Sequence, residues 1–259
     1  MTALVTGASS GIGREIAIKL AERGVRLIIS GRNVAKLEAL RDEIGANRVK
    51  IIPADISKES ECIRLYAEAS AYNVNILVNN AGFGLFGRFC GTELDRELEM
   101  IDVNIKAVHT LTKLFLKDFS ARDKGYILNV ASAAGFMAGP LMSTYYATKN
   151  YVVKLTQAIR EELRVQGSRV YVGAFCPGPV MTPFNDVAGV DFGLRGITAE
   201  YAAECAVKGM FARKSLIIPT LKMKICVYGS RLIPDNLLAA VTYNIQTKKG
   251  EKDNSSAKL

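Results

Sequence analysis

The feature that most constrains the fold is a glycine-rich turn near the N-terminus. Thr2–Thr6 predicts a short apolar strand, Gly7–Gly13 has the spacing G-x-x-x-G-x-G, and Arg14–Arg23 places apolar side chains on one helical face. Val25–Ser30 predicts a second strand and completes a βαβ unit. Glycines in such a turn let a ligand approach the backbone, and the helix N-terminus favours an anion such as pyrophosphate. The turn alone is weak evidence, because its spacing is not G-x-G-x-x-G.

Strands and helices continue to alternate along the chain. We predict further helices at 34–44, 58–72, 93–120 (one helix or two) and 145–164, and further strands at 49–53, 75–78, 125–131 and 169–175. This alternation predicts one α/β domain over residues 1–259, a Rossmann-like, doubly wound parallel sheet with helices on both faces.

Composition indicates a soluble globular protein, with 49% apolar and 23% charged residues. A strand that starts at Thr2 or Ala3 leaves no room for a signal peptide. The longest uncharged run, between Lys124 and Lys149, contains Gly139-Pro140 and so predicts a strand and loop, not a membrane helix. The five cysteines form no C-x-x-C pair, and we expect a reducing cytoplasm.

The net charge of +9 comes from scattered basic residues, which indicate a solvated surface or attraction for an anionic cofactor or substrate. No nucleic-acid-binding motif accompanies it. His109 is the single histidine and lies in no metal-ligand cluster, so we expect no metal site. The absence of a G-x-S-x-G elbow argues against a serine hydrolase.

The segment after the second strand bears on cofactor choice. Sites that prefer NAD usually place a carboxylate there for the ribose 2′-hydroxyl. Ser30-Gly31-Arg32-Asn33 has no acid, and Arg32 could pair with a 2′-phosphate. NADP is therefore favoured over NAD, although Arg32 could also be an ordinary surface residue.

Tyr145 and Lys149 stand four residues apart in a predicted helix, on one face. An ammonium beside a phenol is expected to lower the phenol pKa and to suit it to exchange a proton with a carbonyl or alcohol. Ser132 follows a predicted strand and could bond the same oxygen. Tyr146 is not four residues from Lys149 and would point roughly 100° away, towards packing or substrate.

Together these motifs resemble the short-chain dehydrogenase/reductase family. The resemblance spans Thr2 to about Thr182, and the later chain resembles its DltE-like subgroup. The motifs that carry it are the turn at 6–13, Asp55, Asn79-Asn80-Ala81-Gly82, Asn104, Ser132, Tyr145-x-x-x-Lys149 and Pro177-Gly178-x-x-x-Thr182.

The resemblance implies a role for each residue. Tyr145 would be the acid/base, Lys149 would tune it and hold the nicotinamide ribose, and Ser132 would bond the reacting carbonyl. Asn104 would link Lys149 to solvent through a water. Cofactor contacts are implied, with Ser30 and Arg32 added from the reasoning above, at Gly7, Ser9, Ser10, Gly11, Ile12, Gly13, Asp55, Ile56, Asn79, Ala81, Gly82, Tyr145, Lys149, Pro177, Gly178, Val180 and Thr182.

The resemblance also divides the domain: 1–182 for cofactor binding and catalysis, 183–200 as a substrate lid, and 201–259 as a C-terminal extension. Substrate contacts are expected at Ser132, Phe136, Tyr145 and Phe184, and apolar lid residues favour a hydrophobic ketone or secondary alcohol. Residues 216–247 could pack on the sheet, form a subunit contact or touch a membrane surface, and we favour the first two. Faces around 104–119 and 151–163 imply a homodimer or homotetramer.

Several functions remain open at this point. The leading hypothesis is an NADP-dependent carbonyl reductase or alcohol dehydrogenase. Within the same class, the substrate could be a hydroxysteroid, a 3-oxoacyl thioester or a xenobiotic. A different class, a non-catalytic NADP-binding sensor or scaffold, could use the same fold, but it would need none of the proton-transfer residues.

Overall fold

The sheet is built from the predicted alternation. A computed structural model of the protein describes residues 1–184, 188–189 and 196–256, with side chains up to residue 247. Its strands are β1 (Thr2–Thr6), β2 (Arg26–Ser30), β3 (Val49–Ile51), β4 (Ile76–Asn79), β5 (Tyr126–Val130), β6 (Tyr171–Phe175), β7 (Val180–Met181), β8 (Ile197–Thr198) and β9 (Leu216–Ile217). Within these residues, seven strands form one parallel sheet in the order β3-β2-β1-β4-β5-β6-β9.

Helices cover both faces of this sheet. They are α1 (Gly11–Glu22), α2 (Val34–Ile44), α3 (Glu59–Ser70), α4 (Leu94–Ile101), α5 (Val108–Ala121), α6 (Ser143–Val165), α7 (Ala199–Phe211), α8 (Leu221–Gly229) and α9 (Asp235–Ser256). Alternate residues of β1 point to opposite faces: Val5 packs with α1 and α7, and Leu4 packs with α3 and α5. The predicted doubly wound fold is confirmed.

Chain order reverses between β1 and β4, which are neighbours in the sheet. The crossover connections from these two strands run to opposite sides, so a crevice opens outside their carboxyl ends. Every strand-end motif predicted from the sequence falls at this edge of the sheet. The topology thus collects residues that are far apart in the chain.

Two regions differ from the sequence prediction. Residues 94–121 form two helices, α4 and α5, as one of the two predicted alternatives stated, but a π-helical segment, Asp102–Ala107, joins them, and no local pattern indicated it. Part of the expected lid is regular structure, because β8 pairs with β7 and α7 starts at Ala199. Predicted lid residues that lie outside the described residues are Asp186, Val187, Val190, Asp191, Phe192 and Leu194.

The C-terminal segment adds to the sheet, as one of its predicted alternatives stated. Leu216 and Ile217 pair in parallel with Ala174 and Phe175 of β6. Helices α8 and α9 follow. No helix in the described part of the chain has both the length and the apolarity needed to span a bilayer.

Candidate active site

A cleft with a volume of about 720 Å³ opens at the carboxyl edge of the sheet. One end lies beside Ser30 and Arg32 after β2, and the other lies beside Tyr145, Tyr146 and Phe184. The glycine turn after β1 lies between them. Of the predicted site residues, the cleft is lined by Gly7, Ser9, Ser10, Gly11, Ile12, Ser30, Arg32, Asp55, Ile56, Ala81, Gly82, Ser132, Tyr145, Lys149, Pro177, Gly178, Val180, Thr182 and Phe184.

The glycine turn has the backbone that its sequence demands. Gly7 and Gly11 have φ angles of +65° and +55°, a region that side-chain-bearing residues rarely adopt. Ser10 precedes α1 but makes no side-chain cap, and the first turn of α1 carries no acidic residue. The amides at this helix end therefore face the cleft without a competing carboxylate, which suits an anionic ligand.

Asn80 holds this turn, although the motif that contains it predicted no role for this residue. Its Nδ2 atom donates to the carbonyls of Thr6 at 3.0 Å and Gly7 at 3.1 Å. The backbone amide of Asn80 in turn donates to the Thr6 hydroxyl. The feature that could have predicted this role is the position of Asn80, directly after β4 and beside β1.

Two residues predicted as cofactor contacts do not line the cleft. Asn79 is buried and does not line the cleft; its Nδ2 donates to Thr112 and to Asn129, each at 2.9 Å. Gly13 also lies behind the cleft surface, where an added Cβ would lie 2.2 Å from Asn80 Nδ2. Asn79 therefore ties β4 to β5, and Gly13 allows α1 to pack closely on the turn.

The far end of the cleft carries charge. Arg32 is exposed and donates from Nη1 to Glu99 of α4 at 2.9 Å, a contact that connects the end of β2 with a different helix. Lys36 lines the same end. Asp55 accepts hydrogen bonds from the Ser57 amide and hydroxyl, which fix its carboxylate at the cleft wall.

Tyr145, Ser132 and Lys149 meet at the other end. Tyr145 and Lys149 are both buried, and the Ser132 hydroxyl lies near enough to the Tyr145 phenol to act on its pKa. Ser132 is fixed by the backbone, because its oxygen accepts from the Ala134 amide at 3.1 Å. Lys149 Nζ donates to the Val130 carbonyl at 3.0 Å and lies 5.8 Å from the Tyr145 ring centre.

The expected lowering of the Tyr145 pKa is wrong for this arrangement. Burial raises the pKa of Tyr145 to about 12, although the neighbouring Ser132 hydroxyl opposes the shift. Burial also lowers the pKa of Lys149 to about 8. Desolvation disfavours the charged form of each group and is the largest cause of both shifts. The phenol is therefore a neutral proton donor near pH 7.

Asn104 lies in the π-helical segment and is fully buried. Its Oδ1 accepts from the Phe83 amide at 3.1 Å, and its Nδ2 donates to the Phe83 carbonyl at 2.9 Å and to Thr148 at 3.1 Å. These bonds fasten the loop after β4 to α6. The side chain thus braces the site, and π-helical turns often occur at such positions.

The remaining wall is apolar. Phe184 packs on Tyr145 with ring centres 5.4 Å apart, and Met137, Met142 and Met223 line the cleft near it. Phe136, which we expected at the substrate, does not line the cleft. It packs with the cluster around Val153 and Ile218, because the short turn after Ser132 directs Met137 inward instead.

Comparison with known proteins decides the family. Residues 1–190 match the family model described as short chain dehydrogenase. The chain belongs to the short-chain dehydrogenase family. Its glycine turn, Ser132, Tyr145 and Lys149 all fall inside the matched region, and α8 and α9 fall outside it.

Relatives of this dehydrogenase support the same assignment. An uncharacterised oxidoreductase of Staphylococcus aureus is 35% identical over 182 residues, which cover 70% of this chain and 78% of the relative. A Sphingobium yanoikuyae short-chain dehydrogenase in complex with NADPH is 29% identical, with a TM-score of 0.81, over 89% of this chain and 93% of that one. A Burkholderia phymatum short-chain dehydrogenase/reductase in complex with NAD is 25% identical, with a TM-score of 0.79, over 88% and 91%.

Proposed function

We propose that this dehydrogenase transfers a hydride between NADP(H) and a hydrophobic ketone or secondary alcohol, with Tyr145 as the acid/base. The observation that carries the proposal is that Ser132, Tyr145 and Lys149 come together on the wall of the cleft, where Tyr145 and Lys149 are buried. Two hydroxyl groups that lie side by side can both donate a hydrogen bond to one carbonyl oxygen. Such preorganised donors stabilise the negative charge that develops there.

The cleft has the features that a nicotinamide dinucleotide requires. The left-handed glycines and the uncapped start of α1 suit a pyrophosphate, and the wall at Asp55 and Ile56 suits an adenine ring. Ala81, Gly82 and Pro177–Thr182 would line the path to the nicotinamide. An added Cβ at Gly82 would lie 2.8 Å from Asn104 Oδ1, so this part of the wall must stay thin.

Arg32 and the lack of an acid at 30–33 support NADP over NAD. A guanidinium matches a phosphate with two parallel hydrogen bonds, whereas a carboxylate would repel it. Related proteins include one in complex with NADPH and one in complex with NAD, so the preference rests on this chain's own residues.

The chain's residues divide the proton chemistry. When bound, the dinucleotide supplies or accepts the hydride. In the reducing direction, Tyr145 donates its phenolic proton to the carbonyl oxygen while Ser132 bonds the same oxygen. Lys149 would hold the nicotinamide ribose. We further propose that Asn104, which braces α6 beside Lys149, belongs to a water-mediated path that returns a proton to the site.

The substrate class follows from the apolar wall near Tyr145. Phe184 and three methionines leave few polar partners at this end of the cleft. We favour a medium-sized hydrophobic ketone, with a hydroxysteroid or a 3-oxoacyl thioester as alternatives. All five cysteines are free thiols, which supports a reducing compartment such as the cytoplasm.

The direct test is a screen of ketones and secondary alcohols that includes steroids and 3-oxoacyl thioesters. Oxidation of NADPH and of NADH is followed by absorbance. We expect turnover of at least one apolar ketone, with NADPH preferred. Tight binding of NADPH without turnover of any compound would favour the rival function, a non-catalytic NADP sensor or scaffold.

A further inference from the structure

A second tyrosine forms part of the cleft wall beside the catalytic one. Tyr146 follows Tyr145 on α6, and the two ring centres lie 6.0 Å apart with planes at 79°. The Tyr146 ring packs directly on Gly139, where an added Cβ would lie 2.1 Å from its Cγ atom. Close packing against Gly139, which has no side chain, therefore fixes the position of the Tyr146 ring.

Helix α9 covers the same end of the cleft. Leu238, Thr242 and Gln246 stand at four-residue intervals on one face of α9, and all three are buried. The Thr242 hydroxyl lies 3.9 Å from the sulfur of Met137, which lines the cleft. This face of the C-terminal helix thus forms the outer support of the wall that Met137 and Tyr146 present.

Gln246 provides the polar link between α9 and that wall. It is fully buried, and its Nε2 atom donates to the Tyr146 hydroxyl oxygen at 2.8 Å across 100 residues of sequence. A buried amide is costly unless it is hydrogen-bonded, so this contact holds the phenol in one orientation. Because the amide supplies the donor, the phenol can direct its own proton to an acceptor in the cleft.

The surroundings of the Tyr146 phenol allow it to discriminate between substrates. Burial raises the pKa of Tyr146, which therefore stays protonated near neutral pH. Among the described residues, Met137, Met142 and Phe184 line the cleft at the same end. A hydrogen-bond donor in a largely apolar wall discriminates strongly for substrates whose polar atoms can accept from it.

We propose that Tyr146, positioned by Gln246 of the C-terminal helix, selects apolar ketones that carry a second oxygen a few bonds from the reacting carbonyl. The inference rests on the proposed function and narrows its substrate class. Tyr146 binds the second oxygen, and Gln246 is a positioning residue.

The test uses two ketones with the same nine-atom chain, ethyl 3-oxohexanoate and nonan-4-one, which differ by the ester group. Wild type is compared with Tyr146→Phe, Gln246→Leu and the neighbouring surface control Thr247→Ala. We expect the ratio of kcat/KM for the ketoester to that for the ketone to fall about tenfold in Tyr146→Phe, the effect of one lost hydrogen bond. Gln246→Leu should give a smaller fall, and Thr247→Ala none.

A binding measurement removes the dependence on turnover. Calorimetric titration of each compound into the protein with NADP⁺ should show the same tenfold change in the ratio of Kd values. If a thermal unfolding experiment shows that Gln246→Leu is not folded, the result for Tyr146→Phe alone decides whether the inference holds. Equal effects of Tyr146→Phe on both compounds, or no ketoester preference in wild type, would overturn the inference. Failure of wild type to reduce any ketone in the screen would instead overturn the proposed function.

Discussion

At the scale of single residues, two buried groups determine how the site handles protons. Burial keeps the Tyr145 phenol protonated and pushes the Lys149 amine towards its neutral form. Lys149 keeps one fixed partner, the Val130 carbonyl, at 3.0 Å. The lysine is therefore held by the backbone of β5 and carries its charge at a cost to stability.

That cost predicts a pH dependence. The pKa of Lys149 is about 8 in the folded protein and 10.5 as a reference for the unfolded chain. Between these values the unfolded state binds the extra proton, so stability rises with pH. Compared with Lys149→Met, the free energy of unfolding of wild type should rise by about 2 kcal/mol between pH 7 and pH 10.

Urea unfolding of both proteins at the two pH values measures this difference. Burial raises the pKa values of Cys62, Cys176 and Tyr145, which lowers stability at high pH. These three groups are present in both proteins, so their effects largely cancel in the comparison. If the free energy of unfolding changes with pH in the same way in wild type and Lys149→Met, the pKa of Lys149 is not lowered in the folded protein.

At the scale of elements, the ion pair of Arg32 and Glu99 connects the end of β2 to α4 at the edge of the cleft. Arg96 on the same helix also contacts Glu99. A 2′-phosphate would compete with Glu99 for the Arg32 guanidinium. The carboxylate therefore both orients Arg32 and opposes the anion that Arg32 would bind.

This competition predicts opposite effects of two substitutions. Arg32→Ala should raise the Kd for NADPH about 10- to 100-fold. The Kd for NADH should stay nearly unchanged, because NADH lacks the 2′-phosphate. Glu99→Gln should lower the Kd for NADPH a few-fold, as exposed ion pairs are weak. Fluorescence titration with both cofactors measures these values. Equal losses for NADPH and NADH in Arg32→Ala would contradict the assignment of Arg32.

The elements also show what a sequence can and cannot reveal. The boundaries of α2 and β1 matched because their apolar patterns are local. Tyr145 and Lys149 could be paired from their spacing on one helix. The contacts of Arg32 with Glu99 and of Tyr146 with Gln246 join residues 67 and 100 positions apart, and no local pattern indicates them. The Tyr145 pKa was mispredicted because burial depends on the entire fold.

At the scale of the whole molecule, exposed apolar side chains concentrate near the C-terminus. Leu221, Ile225, Leu232, Leu237 and Val241 are all exposed, and Leu232 is 87% exposed. Exposed apolar groups at this density mark interaction sites more often than free surface. We expect this segment to form the subunit contact that one sequence alternative proposed.

Light scattering after gel filtration tests this expectation. Wild type should have at least twice the 28.1 kDa mass of one chain. Ile225→Asp combined with Leu232→Asp should lower the mass towards one chain without a loss of thermal stability, since both side chains are exposed. A single-chain mass for wild type would contradict the contact, and binding to lipid vesicles would favour the membrane alternative.

Tyr145 is the residue on which the proposed mechanism depends most, and turnover by Tyr145→Phe tests its role most directly. The change removes one hydroxyl and keeps the ring against Phe184. With a ketone that wild type reduces, we predict a loss of kcat of about 100-fold or more, typical for removal of a general acid, with the Kd for NADPH nearly unchanged. Tyr72→Phe, at an exposed tyrosine outside the cleft, should keep the wild-type rate. A wild-type rate in Tyr145→Phe would contradict the proposed mechanism.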